Sequence, residues 1–267
     1  MRPIIRWTLQ QRKSSIIWWC VGIIFFVFLT LVFYPTINSQ SAQLNKSFDQ
    51  IPQTAKQLFT DTSDLFSPIG YLSSQIFYLM MPLILGVLAI SLGASLVGKE
   101  EHDTTIELLL ARPISRTKLL LGKSLAGLAV VLIVGGTSII FTAVMCRLVG
   151  LEVAVMYILE AGLLATLLAL SLGVVAFMLT ALGRAGRAAG IGLAAAFALG
   201  GYILASLSSS ITWLRWPAKI FPFNYYHSSE LLSGNYNWAN AIYFVAVIVA
   251  CLVISWLAFR RRDLLGS

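Results

Sequence analysis

VAVMYILEAGLLATLLALSLGVVAFMLTAL, residues 153–182, carries a single charged side chain, Glu160. About 20 apolar residues in helical form cross a hydrocarbon core of about 30 Å, so this stretch is long enough to span a bilayer. Excluding charges and reading outward finds five more such runs: Ser14–Tyr34, Ile69–Val97, Ser124–Cys146, Ala188–Ser210 and Trp238–Phe259. Composition agrees, with 58% hydrophobic residues, 11% charged residues and a mean hydropathy of +0.84, where an ordinary soluble domain has about 25% charged residues. Lipid offers no hydrogen bonds, so each span must satisfy its own backbone as a helix. The expectation is an all-α polytopic membrane protein with six transmembrane helices, a single transmembrane domain over residues 1–267.

The basic residues orient it. Cytoplasmic loops carry the excess of Lys and Arg. With the amino terminus inside, Arg2, Arg6, Arg12, Lys13, Lys99, Arg112, Arg116, Lys118, Lys123, Arg184, Arg187, Arg260, Arg261 and Arg262 fall on that side. Lys46, Lys56, Arg147, Arg215 and Lys219 fall on the other. Both termini are therefore expected in the cytoplasm, and the basic pI of about 9.6 reports topology rather than nucleic-acid binding. The first apolar run exceeds the core of a signal peptide, typically about 7–15 residues, and is expected to be retained. Ahead of it, residues 1–13 place Ile4, Ile5, Trp7 and Leu9 among basic residues, as in a short interfacial helix. Cys20, Cys146 and Cys251 lie in or at the ends of spans, form no CxxC pair and make no metal cluster with His102 or His227.

One segment breaks the apolar pattern. GKEEHDTTIELLLARPISRTKLLLGKS, residues 98–124, gathers ten charged or titratable side chains. Thr104 and Glu107 form a capping-box pattern, and Glu100, Glu101 and Asp103 cluster where a helix dipole favours acids. Pro113 disfavours helical geometry at Arg112, so the predicted helix runs about two turns, from Thr104 to Ala111. A helix that short is unstable alone in water. It is either docked into a partner or laid on the membrane with Ile106 and the leucines in lipid.

Residues 104–123, TTIELLLARPISRTKLLLGK, resemble the segment after the second span in permease subunits of type 2 ATP-binding-cassette (ABC) exporters, particularly the NosY-like single-domain permeases. Thr105, Glu107, Arg112, Pro113, Ser115, Arg116, Gly122 and Lys123 match that pattern; Thr104 stands where the family has glycine. The resemblance implies the type 2 exporter fold, with residues 98–123 as the cytoplasmic coupling-helix loop seated in a separate ATPase. It assigns docking to Thr104, Thr105, Glu107, Leu108, Ala111 and Arg112, electrostatic complementarity to Glu100, Glu101 and Asp103, and the turn to Pro113. It further implies two ATPase subunits that bind ATP and Mg, a second permease subunit in a homo- or heterodimer, and export across a bacterial or archaeal cytoplasmic membrane. This chain itself would hold no cofactor and be no enzyme.

Catalytic motifs fail on inspection. GKS at 122–124 lacks the phosphate-loop glycine, since Thr117 occupies its place, and His102 does not start an HExxH. LSGN at 232–235 resembles an ATPase signature but falls on the expected outer side. The rival reading is an ion-coupled secondary transporter using Glu160, an intramembrane acid that must be neutral, paired or water-facing. Arg147 is one partner it could approach, although Glu152 is the easier match for Arg147. Gly186, Gly190, Gly192, Ala196 and Gly200 repeat a small-residue spacing that lets helices approach closely. Pro82, with Gly86 and Gly93, suggests a bend in the second span. Outside, residues 35–68 suggest an amphipathic surface helix interrupted near Pro52, and residues 211–237 read as an aromatic interfacial or re-entrant segment.

Overall fold

The computed structural model describes residues 2–41, 43, 45, 48, 50–62, 65–102, 116–182 and 187–261. Six helices among them are long and apolar enough to cross a membrane: Lys13–Ser39, Pro68–Leu96, Thr117–Leu148, Val155–Ala181, Arg187–Leu207 and Trp238–Ala258. They are the first to sixth spans below. No strand occurs among the described residues, so the fold is all-α and multi-pass. Residues 102 and 116 mark the loop end of the bundle; the described residues of 34–67, together with 208–237, form the far end.

Burial orders the spans. The fourth has 67% of its apolar window buried and the second 61%, against 17% for the first and the sixth. The second and fourth spans are thus the central pair. The third and sixth flank the fourth, the first leans on the third, and the fifth packs on both central spans. Outward-facing Trp18, Phe25, Ile140 and Ile242 are more than half exposed, which costs nothing where the surroundings are hydrocarbon. Inside the spans, Ser138, Thr142, Thr166, Ser171 and Thr180 donate to carbonyls three or four residues back on their own helix, so these hydroxyls are satisfied without a partner helix.

The central crossing is made at Gly93 and Gly173. A Cβ built on Gly93 would fall 2.1 Å from the Gly173 carbonyl oxygen, so only glycine lets the two backbones touch. The glycines of the fifth span behave differently. Gly190 abuts Thr180, where a Cβ would come to 2.6 Å, while Gly192 and Gly200 meet nothing within 4 Å among the described residues and Ala196 is exposed. Gly186 lies outside the described residues. Small-residue spacing shows where a helix can be approached; the neighbouring helix decides where it is.

Two boundaries differ from the sequence expectation. The third-span helix starts at Arg116, ahead of Ser124, because Lys123 is accommodated inside the bundle at 4% exposure. The second span departs from regular helix before Pro82, not at it. It runs Pro68–Leu72, widens into a π-helical turn at Ser73–Phe77, and resumes as Met80–His102. Within that turn the Tyr78 amide donates to the Ser73 carbonyl five residues back, at 2.7 Å. Pro82 therefore sits in the first turn of the resumed helix, where a missing N–H is tolerated.

Candidate functional site

Two regions concentrate polar chemistry. At the loop end, the second-span helix continues to His102 and the third-span helix begins at Arg116, so two rigid rods frame residues 103–115. They are cross-tied. The Lys123 ammonium donates to the Leu96 carbonyl at 2.8 Å, joining the two rods. At 1.5 Å per residue, this tie lies roughly 9–10 Å inside the rod ends. Beside it, Arg12 donates through Nη2 to Ser95 Oγ at 2.6 Å, fastening the end of the amino-terminal helix Arg2–Gln11 to the second span. Trp256 Nε1 donates to Thr117 Oγ1 at 3.3 Å, and the Arg260 guanidinium lies 4.8 Å from the Trp256 ring centre. The sixth span is thereby tied to the start of the third. Of the proposed docking residues, Glu100 and Glu101 belong to the helix ending at His102; Asp103, Thr104, Thr105, Glu107, Leu108, Ala111, Arg112 and Pro113 lie outside the described residues.

At the far end, the π turn of the second span turns polar groups toward the segment before it. Ser73 donates to Asp61 Oδ1 at 2.7 Å. Asp61 Oδ2 accepts from the Ser228 hydroxyl and the Ser229 amide, each at 2.9 Å. One carboxylate so joins three segments distant in sequence. The Tyr78 hydroxyl donates to the Gln57 carbonyl, and that of Tyr202 to the Leu58 carbonyl, which straps residues 52–62 across the second and fifth spans. Tyr226 donates to the Phe77 carbonyl at 2.9 Å. Burial, and then the nearby negative charge of Asp61, push this phenol well above its ordinary value, so it stays a donor at any physiological pH.

These straps border a half-open cavity of about 460 Å³. Tyr78, Tyr202 and Phe223 form an aromatic series along it, with ring centres 6.0 and 5.6 Å apart and near edge-to-face. Gln57, Ser206, Asn224 and His227 contribute polar groups. Elsewhere in the far-end segments, Trp213, Trp216 and Trp238 are exposed at 72%, 78% and 47%, as interfacial aromatics are. A second recess of about 120 Å³, near Gly93 and Gly173 between the second, third, fourth and sixth spans, is apolar and smaller than the usual range of ligand pockets, about 300–1,000 Å³.

Glu160 occupies the second turn of the fourth-span helix, near the far end, shallower than a mid-span acid. It is half-buried, on the stripe of exposed Met156 and Leu163. No hydrogen bond or ion pair joins Arg147, which is exposed in the last turn of the third-span helix, to Glu160 or Glu152. Among the described residues no cluster of His, Cys, Asp and Glu could hold a metal ion, and the three cysteines are free thiols.

Asp61, Ser73, Tyr78, Tyr202 and His227 were not legible as a group. Their individual signals are weak: an acid between two threonines at 60–62, a serine and two tyrosines inside apolar runs, and a histidine within the aromatic segment 211–237. The folded chain alone brings them together.

A family model described as "ABC-2 family transporter protein" matches residues 4–264. Comparison with curated proteins finds no match.

Proposed function

This chain belongs to the ABC-2 transporter family and is a multi-pass permease component of an ABC transporter, and from that premise we propose how it works. It pairs with a second permease subunit and with two separate ATPase subunits that bind ATP and Mg. Residues 100–113 dock into the ATPase, and nucleotide-driven closure of the ATPases moves the permease between inward- and outward-facing states to export substrate. Both termini and the loop end face the cytoplasm of a bacterial or archaeal cell.

The observation that carries this reading is the mounting of residues 103–115. Force applied to a short segment is transmitted only if its attachments are stiff. Here both flanking rods are continuous helix, and Lys123 and Arg12 brace them against the bundle. The polar excess of residues 98–124, within a chain otherwise poor in charge, is what a water-exposed docking surface requires.

The test is a double substitution, Glu107→Ala with Arg112→Ala, in the chain purified from its native membrane with whatever ATPase accompanies it. The expected result is normal membrane insertion with loss of ATPase co-purification or of substrate-stimulated hydrolysis. Fully coupled transport by the double variant would refute the docking assignment.

A further inference from the structure

We propose that the far-end cavity is a binding site for an uncharged, hydroxyl-rich group: a glycosyl unit, presented either as a free sugar or as the head of a glycolipid. Size is the first argument. The cavity of about 460 Å³ falls within the range of small-ligand pockets, about 300–1,000 Å³.

Charge is the second. Among the described residues lining the cavity, Asp61 and Lys56 are the formally charged ones besides a titratable His227, and their signs cancel. Asp61 already accepts from three donors, which leaves it poorly placed to capture a cationic ligand. Lys56 stands over the Phe48 ring, 5.3 Å from its centre. A charged ligand would enter a site whose own charges are engaged.

Hydrogen-bonding capacity is the third. Ser208 donates to the Ala205 carbonyl at 2.7 Å and Ser209 to the Ser206 carbonyl at 3.3 Å. Each hydroxyl has its hydrogen committed and its lone pairs open, so it accepts from a ligand hydroxyl. The Asn224 carboxamide, which lines the same cavity, bonds to no described side chain or backbone group. Nδ1 of His227 is the one buried side-chain polar atom without a partner among the described residues. An orphaned buried nitrogen is costly, and His227 is part of the cavity lining, where a ligand hydroxyl can donate to or accept from an imidazole. A sugar hydroxyl does both, so it suits a wall that mixes open acceptors with an imidazole and an amide.

Apolar contact is the fourth. The C–H face of a sugar ring needs an aromatic wall, and Tyr78, Tyr202 and Phe223 supply one continuous series. Asn224 and Tyr226 line the cavity from the same far-end segment that carries the exposed Trp213 and Trp216, an aromatic segment of interfacial character that either a dissolved sugar or a lipid head can reach.

The experiment uses the full chain in phosphatidylcholine nanodiscs. Maltose is titrated with detection by saturation-transfer NMR, and in parallel a monoglucosyl diacylglycerol is incorporated and scored by native mass spectrometry against diacylglycerol and phosphatidylglycerol. Saturable binding of both glucosyl probes supports recognition of the sugar from either source; binding of the glucolipid alone supports the membrane-borne source. Asn224→Ala and His227→Ala are each expected to weaken binding about tenfold, the loss of roughly one hydrogen bond. Ser209→Phe places a ring from an exposed position across the cavity and is expected to abolish binding while the elution profile stays unchanged. Three results overturn the proposal: no saturable binding of either probe, binding indifferent to Ser209→Phe, or phosphatidylglycerol retained as well as the glucolipid. The cavity does not depend on the docking of residues 100–113 and no ATPase enters the experiment, so failure here and failure of the ATPase assignment are separate results.

Discussion

Replacing Gly93 by alanine adds one methyl group at the crossing of the two central spans. The new Cβ would lie 2.1 Å from the Gly173 carbonyl oxygen, 3.0 Å from its carbon and 3.2 Å from the Phe177 amide nitrogen. Ordinary contact begins at 3.4 Å, so the helices must separate by more than about 1 Å to remove the overlap. Every atom struck is backbone on a rigid helix, so no side chain can rotate away. The reverse contact is also tight, because a Cβ at Gly173 would meet Ala89 at 2.8 Å. At crystal-like packing density, separation strips dispersion contacts along the whole seam. The expected cost is therefore at or above the upper end of about 1–3 kcal/mol for overpacking. The higher helix propensity of alanine returns about 1 kcal/mol, leaving a net loss of about 2 kcal/mol or more.

Gly192→Ala is the matched control. It makes the same substitution in a span but meets nothing within 4 Å among the described residues, so it should be neutral or stabilising by up to about 1 kcal/mol. Unfolding can be followed on heating by dye labelling of the buried thiols Cys146 and Cys251 in a single detergent. Gly93→Ala should label at markedly lower temperature than wild type, and Gly192→Ala at the same temperature or higher. A Gly93→Ala variant that melts with wild type would show that the crossing is not the close contact described.

Two further outcomes are expected. Lys123→Met keeps the stem of this buried side chain but removes its charge-assisted bond to the Leu96 carbonyl; a stability loss of about 1.5–3 kcal/mol follows, and unchanged thermal labelling would remove the tie from the account of the loop end. Glu160→Gln removes the intramembrane charge; under the ABC reading transport remains ATP-dependent and insensitive to an imposed proton gradient. If vesicle transport instead collapses on that substitution and follows the gradient in wild type, Glu160 is a coupling residue.

The sequence was most informative where the solvent sets the rule. Six apolar runs became six spans within a few residues, because length and hydropathy are local quantities that a bilayer judges segment by segment. The main boundary difference, at the start of the third span, has a local cause in Lys123: excluding every charge from a span overlooks a lysine whose ammonium finds a carbonyl on the next helix. The bend expected at Pro82 is not there: Pro82 lies in regular helix, and the irregularity is a π turn ahead of it, where Ser73 and Tyr78 are turned into far-end contacts.

Helix number, an apolar exterior and a polar segment at 98–124 were thus determined by the sequence alone, each depending on residues a few positions apart. The tertiary structure decided which glycines touch and which polar groups share a site. Gly93 meets Gly173 while Gly192 meets nothing among the described residues, a distinction absent from spacing because it depends on which helix lies opposite. Asp61 and Ser228 are 167 positions apart, and each alone reads as ordinary loop polarity. Only folding gives that carboxylate its three donors, since hydrogen bonds act over a few ångströms of space whatever the separation along the chain.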